Sequence, residues 1–492
     1  MIVRAAVLCC LLFATTTLFG TPATVGVRLD TSLTSYDTKP GTEFTCVVIS
    51  PLEVENRLII PVGSLIRGRV RGARSLRMGF VRERAMLDLE FYEYELPDGR
   101  SVPFSGQVFD VDNARETVTG DGQIKGVLAA SGTPGLLRGV WKTPRLAIFA
   151  RPMSTMTGFA GHFWADAFGP VGMIGILALR WVALRFPEPE ITLPPQTELK
   201  IAVTSIAPGA PEFPLAVPLY SSSVLATQLS VLDYQVDKPN GKPADDIVNL
   251  AFEGTKQEVT NGFLAAGWVP AEPLNRKTFT RMYRAYVSME GDPRAPVSKL
   301  IYDGREPDLV FQKSLNTVAR RHHIRLWQLP GRDVWLGAAT HDIGLGLDIG
   351  IRGMTHKIDR VIDTERTKVV EDLLAADCVE KRTFIARPGV SESVADSVTT
   401  DGSISLVELR ACEAADIPTV AVKKPGSHVT RLVRRLALET RQYTFRDNAY
   451  HYAYTWIRKL YSRFSQREKS RQPPAEIQPG LASLTDQQKP GE

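Results

Sequence analysis

The sequence predicts a multidomain α+β protein, with a β-rich barrel or sandwich at the N-terminus followed by an α+β domain and a basic helical tail. Three observations support this prediction. Short apolar runs between turn residues continue to about Thr204, helical spacing of apolar residues begins only after a proline-rich segment, and basic residues concentrate after Lys423. The 492 residues suit about three domains, and a composition with 43% hydrophobic and 23% charged residues excludes collagen, coiled coils and wholesale disorder.

The first residues have the pattern of an export signal. Met1 to Arg4 carries a positive charge, Ala5 to Phe19 is an uncharged apolar run, and Gly20 to Ala23 supplies small residues. We therefore expect residues 1–23 to be a signal peptide that is cleaved near Ala23. An uncleaved anchor is the alternative, although the run is shorter than the roughly 20 residues of a spanning helix.

Cleavage would leave three cysteines, an odd number that allows at most one internal disulfide. The three are Cys46, Cys378 and Cys412. Cys378 and Cys412 are the nearer pair in sequence, and buried unpaired thiols are the equal alternative. The pairing stays open at this stage.

Residues 24–206 read as β structure. Alternating apolar runs predict strands, and Pro97-Asp98-Gly99 predicts a hairpin between the strand that ends at Glu95 and the strand that starts at Ser101. The predicted strands are Gly26–Leu29, Glu43–Ser50, Leu65–Val70, Met86–Glu95 and Ser101–Val108, with a further one at Leu199–Val203. Residues 126–186 interrupt this domain as a glycine-rich apolar insertion, and its longest uncharged run is too short to cross a bilayer.

Three segments of this domain carry a resemblance to a known family. They are IPVGSLIRGRV at 60–70, ELPDGRSVPFSG at 95–106 and ITLPPQTELKIAV at 191–203. These segments resemble the β-rich periplasmic domain of TrbI-type conjugation and type IV secretion scaffold proteins. That family usually has a membrane helix before this domain, where the present chain has a predicted signal peptide. A barrel or sandwich that shares the same turns is the alternative.

After a predicted linker at 207–244, the apolar spacing becomes helical. It predicts a helix over Asp245–Ala265, strands around Val287 and Leu300, and a final helix over Asp363–Ala376 with Val369, Val370, Leu373 and Leu374 facing inward. Between them, strands at His322–Gln328 and Asp333–Ala338 flank Leu329-Pro330-Gly331-Arg332, where Pro followed by Gly predicts a type II turn within a longer loop or bulge. The mixture predicts an α+β domain over residues 245–378, followed by a connecting segment at 379–422.

Histidines and charged residues concentrate in this second domain. Such residues can bind a divalent metal, or they can hold a phosphate while one imidazole transfers a proton. The chain lacks the HExxH, CxxC, GxSxG and Walker motifs, so metal and cofactor both stay open. Adjacent residues of a strand point to opposite faces, so at most one of His322 and His323 can face a given site. A structural network is the alternative to a functional site, and the residues concerned are His322, His323, His341, His356, Arg321, Arg325, Asp342 and Asp359.

Several motifs in this region occur in the order of a second family. They are GREPDL at 304–309, RHHIRLW at 321–327, VWLGAATHD at 334–342, THKID at 355–359 and IDTER at 362–366. These motifs resemble the LssY C-terminal domain over about residues 245–378. The resemblance implies a bacterial envelope protein, and it implies no specific reaction because the family has no established activity.

The C-terminal section is basic and aromatic. Residues 423–471 contain thirteen basic and three acidic residues, a net charge of +10, interleaved with tyrosine, tryptophan and phenylalanine. This combination suits an anionic membrane surface, and a solvated helical segment packed on the domain is the alternative. Nucleic acid is not expected for an exported protein. Residues 472–492 are rich in Pro and Gln and predict a disordered tail.

Two functions follow from these patterns, and whether the protein is an enzyme stays open. The favoured function is binding or scaffolding at the periplasmic face of a membrane, with an anionic surface or an envelope component as partner. The alternative is hydrolysis of a phosphate-containing envelope substrate, with His323 or His341 as the candidate for proton transfer and Arg321 and Arg325 binding the anion. His356, Asp342 and Asp359 complete the candidate binding residues.

Overall fold

The structure is a computed structural model that describes residues 23–78, 82–113, 115–127, 188–215, 217–288, 290–313, 320–348, 353–387, 389–390, 398–415, 425–441 and 460–463. The predicted signal peptide up to residue 22, nearly all of the insertion at 126–186 and the tail at 472–492 lie outside the described residues. Within the described part, no helix is long and apolar enough to span a bilayer.

The N-terminal domain is a closed antiparallel barrel of six strands, which decides between barrel and sandwich. Around the barrel the strand order is β6-β3-β1-β12-β8-β7, and pairing of β7 with β6 closes the ring. The strands are β1 Thr24–Leu29, β3 Glu43–Ser50, β6 Leu65–Arg74, β7 Met86–Glu95, β8 Ser101–Val111 and β12 Glu198–Ile206. The predicted strands and the hairpin at Pro97-Asp98-Gly99 are confirmed, because β7 and β8 pair directly across that turn.

Short strands surround the barrel and carry some of its connections. Two of them extend the sheet beyond β7, and the others form two small separate sheets. They are β2 Leu33–Thr34, β4 Leu52–Val54, β5 Arg57–Ile60, β9 Thr117–Val118, β10 Ile124–Lys125, β11 Thr192–Leu193 and β13 Phe213–Pro214. Because β13 pairs with β5, the predicted linker at 207–244 begins as part of this domain.

The alternation of β6 shows why these residues close a barrel. Ile66 and Val70 point into the apolar core, whereas Arg67 and Arg69 point outward and pair with glutamates of β7. Gly68 lies where the ring closes, and a Cβ atom there would come within 2.8 Å of the carbonyl oxygen of Glu90. Only glycine lets β6 and β7 approach so closely.

The second domain is a mixed eight-stranded sheet with helices on both faces, as expected for an α+β domain. The strand order is β17-β18-β19-β20-β16-β23-β22, with β21 attached to β20, and β16–β23 is the parallel pair. The strands are β16 Leu250–Glu253, β17 Val269–Pro270, β18 Leu309–Lys313, β19 Arg321–Gln328, β20 Val334–Asp348, β21 Gly353–Ile358, β22 Val379–Ile385 and β23 Ile404–Leu409. Since β22 and β23 belong to the sheet, the domain extends beyond the predicted limits of 245–378 into the segment predicted as a connection.

Helices cover this sheet on two sides. One apolar core lies under α2 and α4, and a second core lies under α1 on the opposite face. The covering helices are α1 Val224–Ser230, α2 Lys256–Ala265 and α4 Ile362–Ala375. Two further helices are α3 Arg276–Ser288 and, within the basic tail, α5 His428–Arg441. A separate hairpin, β14 Gln235–Asp237 with β15 Pro243–Ile247, occupies the end of the predicted linker.

Three local predictions in this domain are wrong. The predicted helix at Asp245–Ala265 begins only at Lys256, where Thr255 and Glu258 form a capping box, and the residues before it form strands. Val287 lies in α3 instead of a strand, and Leu300 lies outside any strand. Leu374 is 41% exposed, whereas Val369, Val370 and Leu373 face the core as predicted.

The turn between β19 and β20 follows the prediction. Gly331 has a φ of +68°, and the Arg332 N–H donates to the Leu329 carbonyl at 3.2 Å, as a type II turn requires. The loop brings β19 and β20 into register, so that His322 lies opposite His341 and Arg321 opposite Asp342.

Candidate functional site

The two domains meet along a buried, charged surface that we call the interdomain seam. It is formed by the ends of β1, β8 and β12 on the barrel side, and by β18, β19, β20 and α4 on the sheet side. On the sheet side, the seam lies on the face of the sheet that carries α2 and α4.

His322 and His341 form the centre of the first cluster in the seam. They are cross-strand neighbours on β19 and β20, so both side chains lie on the same face. Their rings stack with centroids 4.1 Å apart and planes 15° apart. The structure therefore brings together two histidines that the sequence placed in separate motifs.

Two carboxylates hold the His322 ring from opposite ends. Its Nδ1 lies 2.7 Å from Glu365 Oε2 on α4, and its Nε2 lies 2.7 Å from Asp112 Oδ2, just after β8. Burial disfavours the imidazolium, but the negative charges of Glu365 and Asp112 outweigh it and raise the pKa of His322 to about 10. Burial also opposes ionisation of Asp112, yet His322 and Arg320 hold the pKa of that carboxyl well below its usual range.

His341 has a different environment. Its Nε2 lies 3.7 Å from Asp112 Oδ1 and makes no hydrogen bond with any described residue, although the atom is buried. Burial and the neighbouring His322 lower the pKa of His341 to about 4, so its imidazole is neutral at pH 7. A neutral imidazole has one nitrogen lone pair available to accept a proton or bind a metal.

Arg320 lies at the outer edge of this cluster. Its Nε lies 3.1 Å from Asp112 Oδ1, its Nη2 donates to Asp110 Oδ2 at 2.9 Å, and its Nη1 donates to the carbonyls of Val111 and Asn113. The side chains of Asp112 and Arg320 are about one-fifth exposed, so the cluster reaches solvent at this edge. Asp112, His322 and His341 place one ligand atom each within 4.8 Å of the others, the grouping that could hold a metal ion.

The two candidates for proton transfer, His323 and His341, lie in different environments. His323 lies on the opposite face of β19, where its Nδ1 is 3.7 Å from Asp342 Oδ2. Arg321 also contacts Asp342 there, at 3.2 Å. The rule that adjacent strand residues face opposite sides, applied to His322 and His323, is confirmed.

Arg325 belongs to the same buried polar layer as His323. Its Nη1 donates to Asp246 Oδ1 at 2.9 Å, and its other nitrogens donate to the Ser298 carbonyl at 3.0 and 3.1 Å. Since Arg325 is 1% exposed and faces protein acceptors, it ties the sheet to the preceding loop. The structure places Arg321 and Arg325 in a packed layer and not around an open anion site.

The remaining predicted residues lie elsewhere. The Asp359 carboxylate accepts from the Val361 N–H at 3.1 Å and so shapes the turn before α4. His356 lies in β21 opposite Leu345, and its side chain falls outside the described residues.

A second cluster in the seam holds five ionised side chains. Asp372 Oδ1 lies 2.7 Å from Arg28 Nη2 and 2.6 Å from Lys368 Nζ, and Asp372 Oδ2 lies 2.9 Å from Lys313 Nζ. Glu198 of the barrel contacts the same three cations at 2.8 to 3.1 Å. Burial and the nearby Arg28 lower the pKa of Lys313 to about 8, against the pull of the two carboxylates. This cluster fastens one end of the barrel to the sheet.

Open grooves occur away from the seam. Within the described residues, one of about 830 Å³ lies along α3 and residues 290–293, and one of about 460 Å³ surrounds the loop between β19 and β20. Neither groove is lined by a histidine. The histidine cluster and the large grooves are therefore separate features.

Residues 230–404 match the family model described as the LssY C-terminus. The second domain is an LssY-like domain. The match includes both seam histidines and most of the strands of the sheet, whereas Asp112 lies outside it, in the barrel. No curated protein matches the chain.

Sequence reasoning missed most of the seam residues on the barrel side. Arg28, Asp112 and Glu198 lie in or beside barrel strands, where charged residues are normally solvated. One signal was available for Asp112, because Asp110 and Asp112 occupy alternate positions at the end of β8. Glu365 was part of the IDTER motif, but nothing local indicates that it contacts His322.

Proposed function

We propose that this protein is an exported envelope protein in which the barrel and the LssY-like domain form one scaffold, and the basic tail binds an anionic membrane surface at the periplasmic face. The observation that carries the proposal is the way α5 is mounted on the barrel. Leu438 packs against Leu76, and Arg434 pairs with Glu188, so one side of the helix is fixed.

The other side of α5 is available to a surface. Val429 and Val433, one helical turn apart, are 66% and 50% exposed. Around them the segment 423–471 carries its net charge of +10. An exposed apolar stripe within a basic segment has the chemistry that binds acyl chains and anionic headgroups together.

Two features support export. Cys378 and Cys412 form a disulfide with their Cα atoms 5.5 Å apart, and such bonds persist in oxidising compartments. The barrel begins with β1 at Thr24, directly after the predicted cleavage position. Recovery of mature protein beginning near Thr24 from the periplasmic or membrane fraction would support export, whereas an intact Met1 on cytosolic protein would contradict it.

Binding to anionic vesicles tests the membrane part of the proposal. We expect the purified protein to sediment with phosphatidylglycerol-containing vesicles, and added salt to weaken this binding, because exposed charges are screened beyond about 8 Å at physiological ionic strength. Deletion of residues 423–471 should abolish it.

A charge-matched control separates the tail from general basicity. Arg431→Gln with Arg435→Gln removes two charges from α5, whereas Arg67→Gln with Arg69→Gln removes two exposed arginines from β6. The two substitutions in α5 should weaken sedimentation of the protein with the vesicles, and the two substitutions in β6 should not. Binding that survives the deletion unchanged would refute the role of the tail and direct attention to residues 126–186.

The hydrolase alternative has one observation in its favour, the convergence of His322, His341 and Asp112 beside Arg320. Of the two candidates for proton transfer, only His341 belongs to this group, and the group is mostly buried in the seam. A phosphoesterase screen separates the two functions. Turnover that disappears in His341→Gln would establish the hydrolase and displace the scaffold proposal.

A further inference from the structure

We propose that Asp112, His322 and His341 bind one divalent transition-metal ion of the zinc class in the interdomain seam. Two imidazoles and one carboxylate are ligands that such ions favour. The site takes ligands from both domains, since Asp112 follows β8 of the barrel whereas the histidines lie on β19 and β20.

The distances between the donor atoms suit one ion. With metal–ligand bonds of about 2.0 to 2.1 Å, tetrahedral ligand atoms lie about 3.3 Å apart. Asp112 Oδ2 lies 2.7 Å from His322 Nε2, and Asp112 Oδ1 lies 3.7 Å from His341 Nε2, so each imidazole has one oxygen of this carboxylate near that distance. The three donors lie within 4.8 Å of one another, so side-chain movements of less than about 1 Å would complete the site.

His341 Nε2 provides the independent observation that points to a ligand. This nitrogen is buried, faces Asp112, and has no hydrogen-bond partner among the described residues. Buried polar atoms are normally paired, and an unpaired one calls for an explanation. A metal ion between His341 and Asp112 would supply the missing partner.

Glu365 supports the ligand arrangement from behind. Its Oε2 lies 2.7 Å from His322 Nδ1 and keeps a proton on that nitrogen, so a bound ion replaces only the proton on Nε2, which passes to solvent. A carboxylate that holds the remote nitrogen of a ligating histidine is the usual support of metal sites. Arg320 contacts Asp112 Oδ1 and so helps to fix the orientation of this carboxylate.

The site is closed on the protein side and open at one edge. His322 and His341 are 8% and 13% exposed in their side chains, and Asp112 is 20% exposed. Three protein ligands leave at least one coordination position, and the edge beside Arg320 gives an ion a path to it. Binding would hold the barrel against the LssY-like domain, whether or not the tail binds a membrane.

Metal titration of the mature protein tests this inference. After treatment with a chelator, calorimetric titration with ZnCl₂ should show one ion bound per chain, and CoCl₂ should produce visible absorption bands of a four- or five-coordinate nitrogen and oxygen site. Zinc should also raise the melting temperature, because an ion that binds only the folded protein stabilises it.

Variants separate the proposed site from adventitious zinc binding. His341→Gln should weaken zinc binding roughly 100-fold or more and remove the cobalt bands, and Glu365→Gln should weaken binding by about 10- to 100-fold as a positioning residue. His323 is a buried histidine on the opposite face of the sheet, so His323→Gln should change neither the zinc affinity nor the cobalt bands. Because His341 Nε2 makes no hydrogen bond, we expect His341→Gln to melt near the wild-type temperature without metal.

Two results would overturn the inference. One is absence of zinc and cobalt binding by the chelator-treated wild type, which would leave His322 as an ion-paired residue between two carboxylates. The other is equal zinc affinity in the wild type, His341→Gln and Asp112→Asn. If His341→Gln fails to fold, Asp112→Asn with the cobalt spectrum gives the same test.

Discussion

Replacing Asp372 by asparagine is expected to weaken the attachment of the two domains. Asp372 is fully buried and receives hydrogen bonds from Arg28, Lys313, Lys368 and the Trp268 indole N–H, at 2.6 to 3.0 Å. The substitution keeps the shape of the side chain and removes its charge, so the result reports on electrostatics more than on packing.

The size of the expected loss in unfolding free energy follows from the charges of the cluster. The cluster has three cations, Arg28, Lys313 and Lys368, and two anions, Glu198 and Asp372, so its net charge is +1. The substitution at Asp372 raises this net charge to +2. Removing one partner from a buried ion cluster costs about 3 to 5 kcal/mol, because the remaining charges stay desolvated. That is a large part of the roughly 5 to 15 kcal/mol by which a native protein is stable.

Equilibrium unfolding in urea, followed by tryptophan fluorescence, measures the loss. Asp377→Asn is the matched control, since Asp377 pairs with Arg410 at 3.2 Å but is 85% exposed. Exposed pairs contribute little, so this control should unfold as the wild type does. Equal unfolding free energies for the two variants would refute the view that the buried cluster fastens the domains.

Three further predictions concern other groups. Burial raises the pKa of Glu371 to about 7, so the stability that the protonated side chain provides is present at acidic pH and is lost between about pH 4.5 and 7. Glu371→Gln should therefore raise the free energy of unfolding by up to about 3 kcal/mol at pH 8 and by almost nothing at pH 4. Equal effects at both pH values in thermal melts would contradict this. Replacing Cys378 and Cys412 together by serine opens a loop with a sequence separation of 34 and should cost about 4 kcal/mol in denaturant titration; an unfolding free energy equal to that of the wild type would contradict a role for the disulfide. His323→Ala should lower the melting temperature by leaving its buried surroundings unpaired, at a cost of about 1 to 3 kcal/mol, and an unchanged melting temperature would argue against a structural role.

Much of the secondary structure could be predicted because its causes are local. Glu43–Ser50 and Met86–Glu95 have the predicted bounds, since alternation of apolar and polar residues specifies a strand with one buried face. Turn residues act over four positions, so Pro330-Gly331 predicts its turn without knowledge of the fold. The motifs of the LssY-like domain are also contiguous, and they identified the domain.

Errors arose where neighbouring segments or distant contacts override the pattern. Residues 245–253 contain apolar residues at helical spacing, yet they form strands because β16 pairs with both β20 and β23. Closure of the barrel likewise depends on pairing between β6 and β7, and alternation alone allows a barrel or a sandwich.

The candidate site itself depends on tertiary structure. The sequence places His322 and His323 on opposite faces of a strand, but it does not say which face meets the barrel. His322 contacts Asp112 across 210 positions of the chain, and Arg28 contacts Asp372 across 344. Local patterns determine where strands alternate, where turns form and where helices begin. Desolvation and charge pairing in the seam arise only when the end of the barrel packs on the sheet. Charged residues that the sequence pattern predicts to be solvated therefore become the buried site.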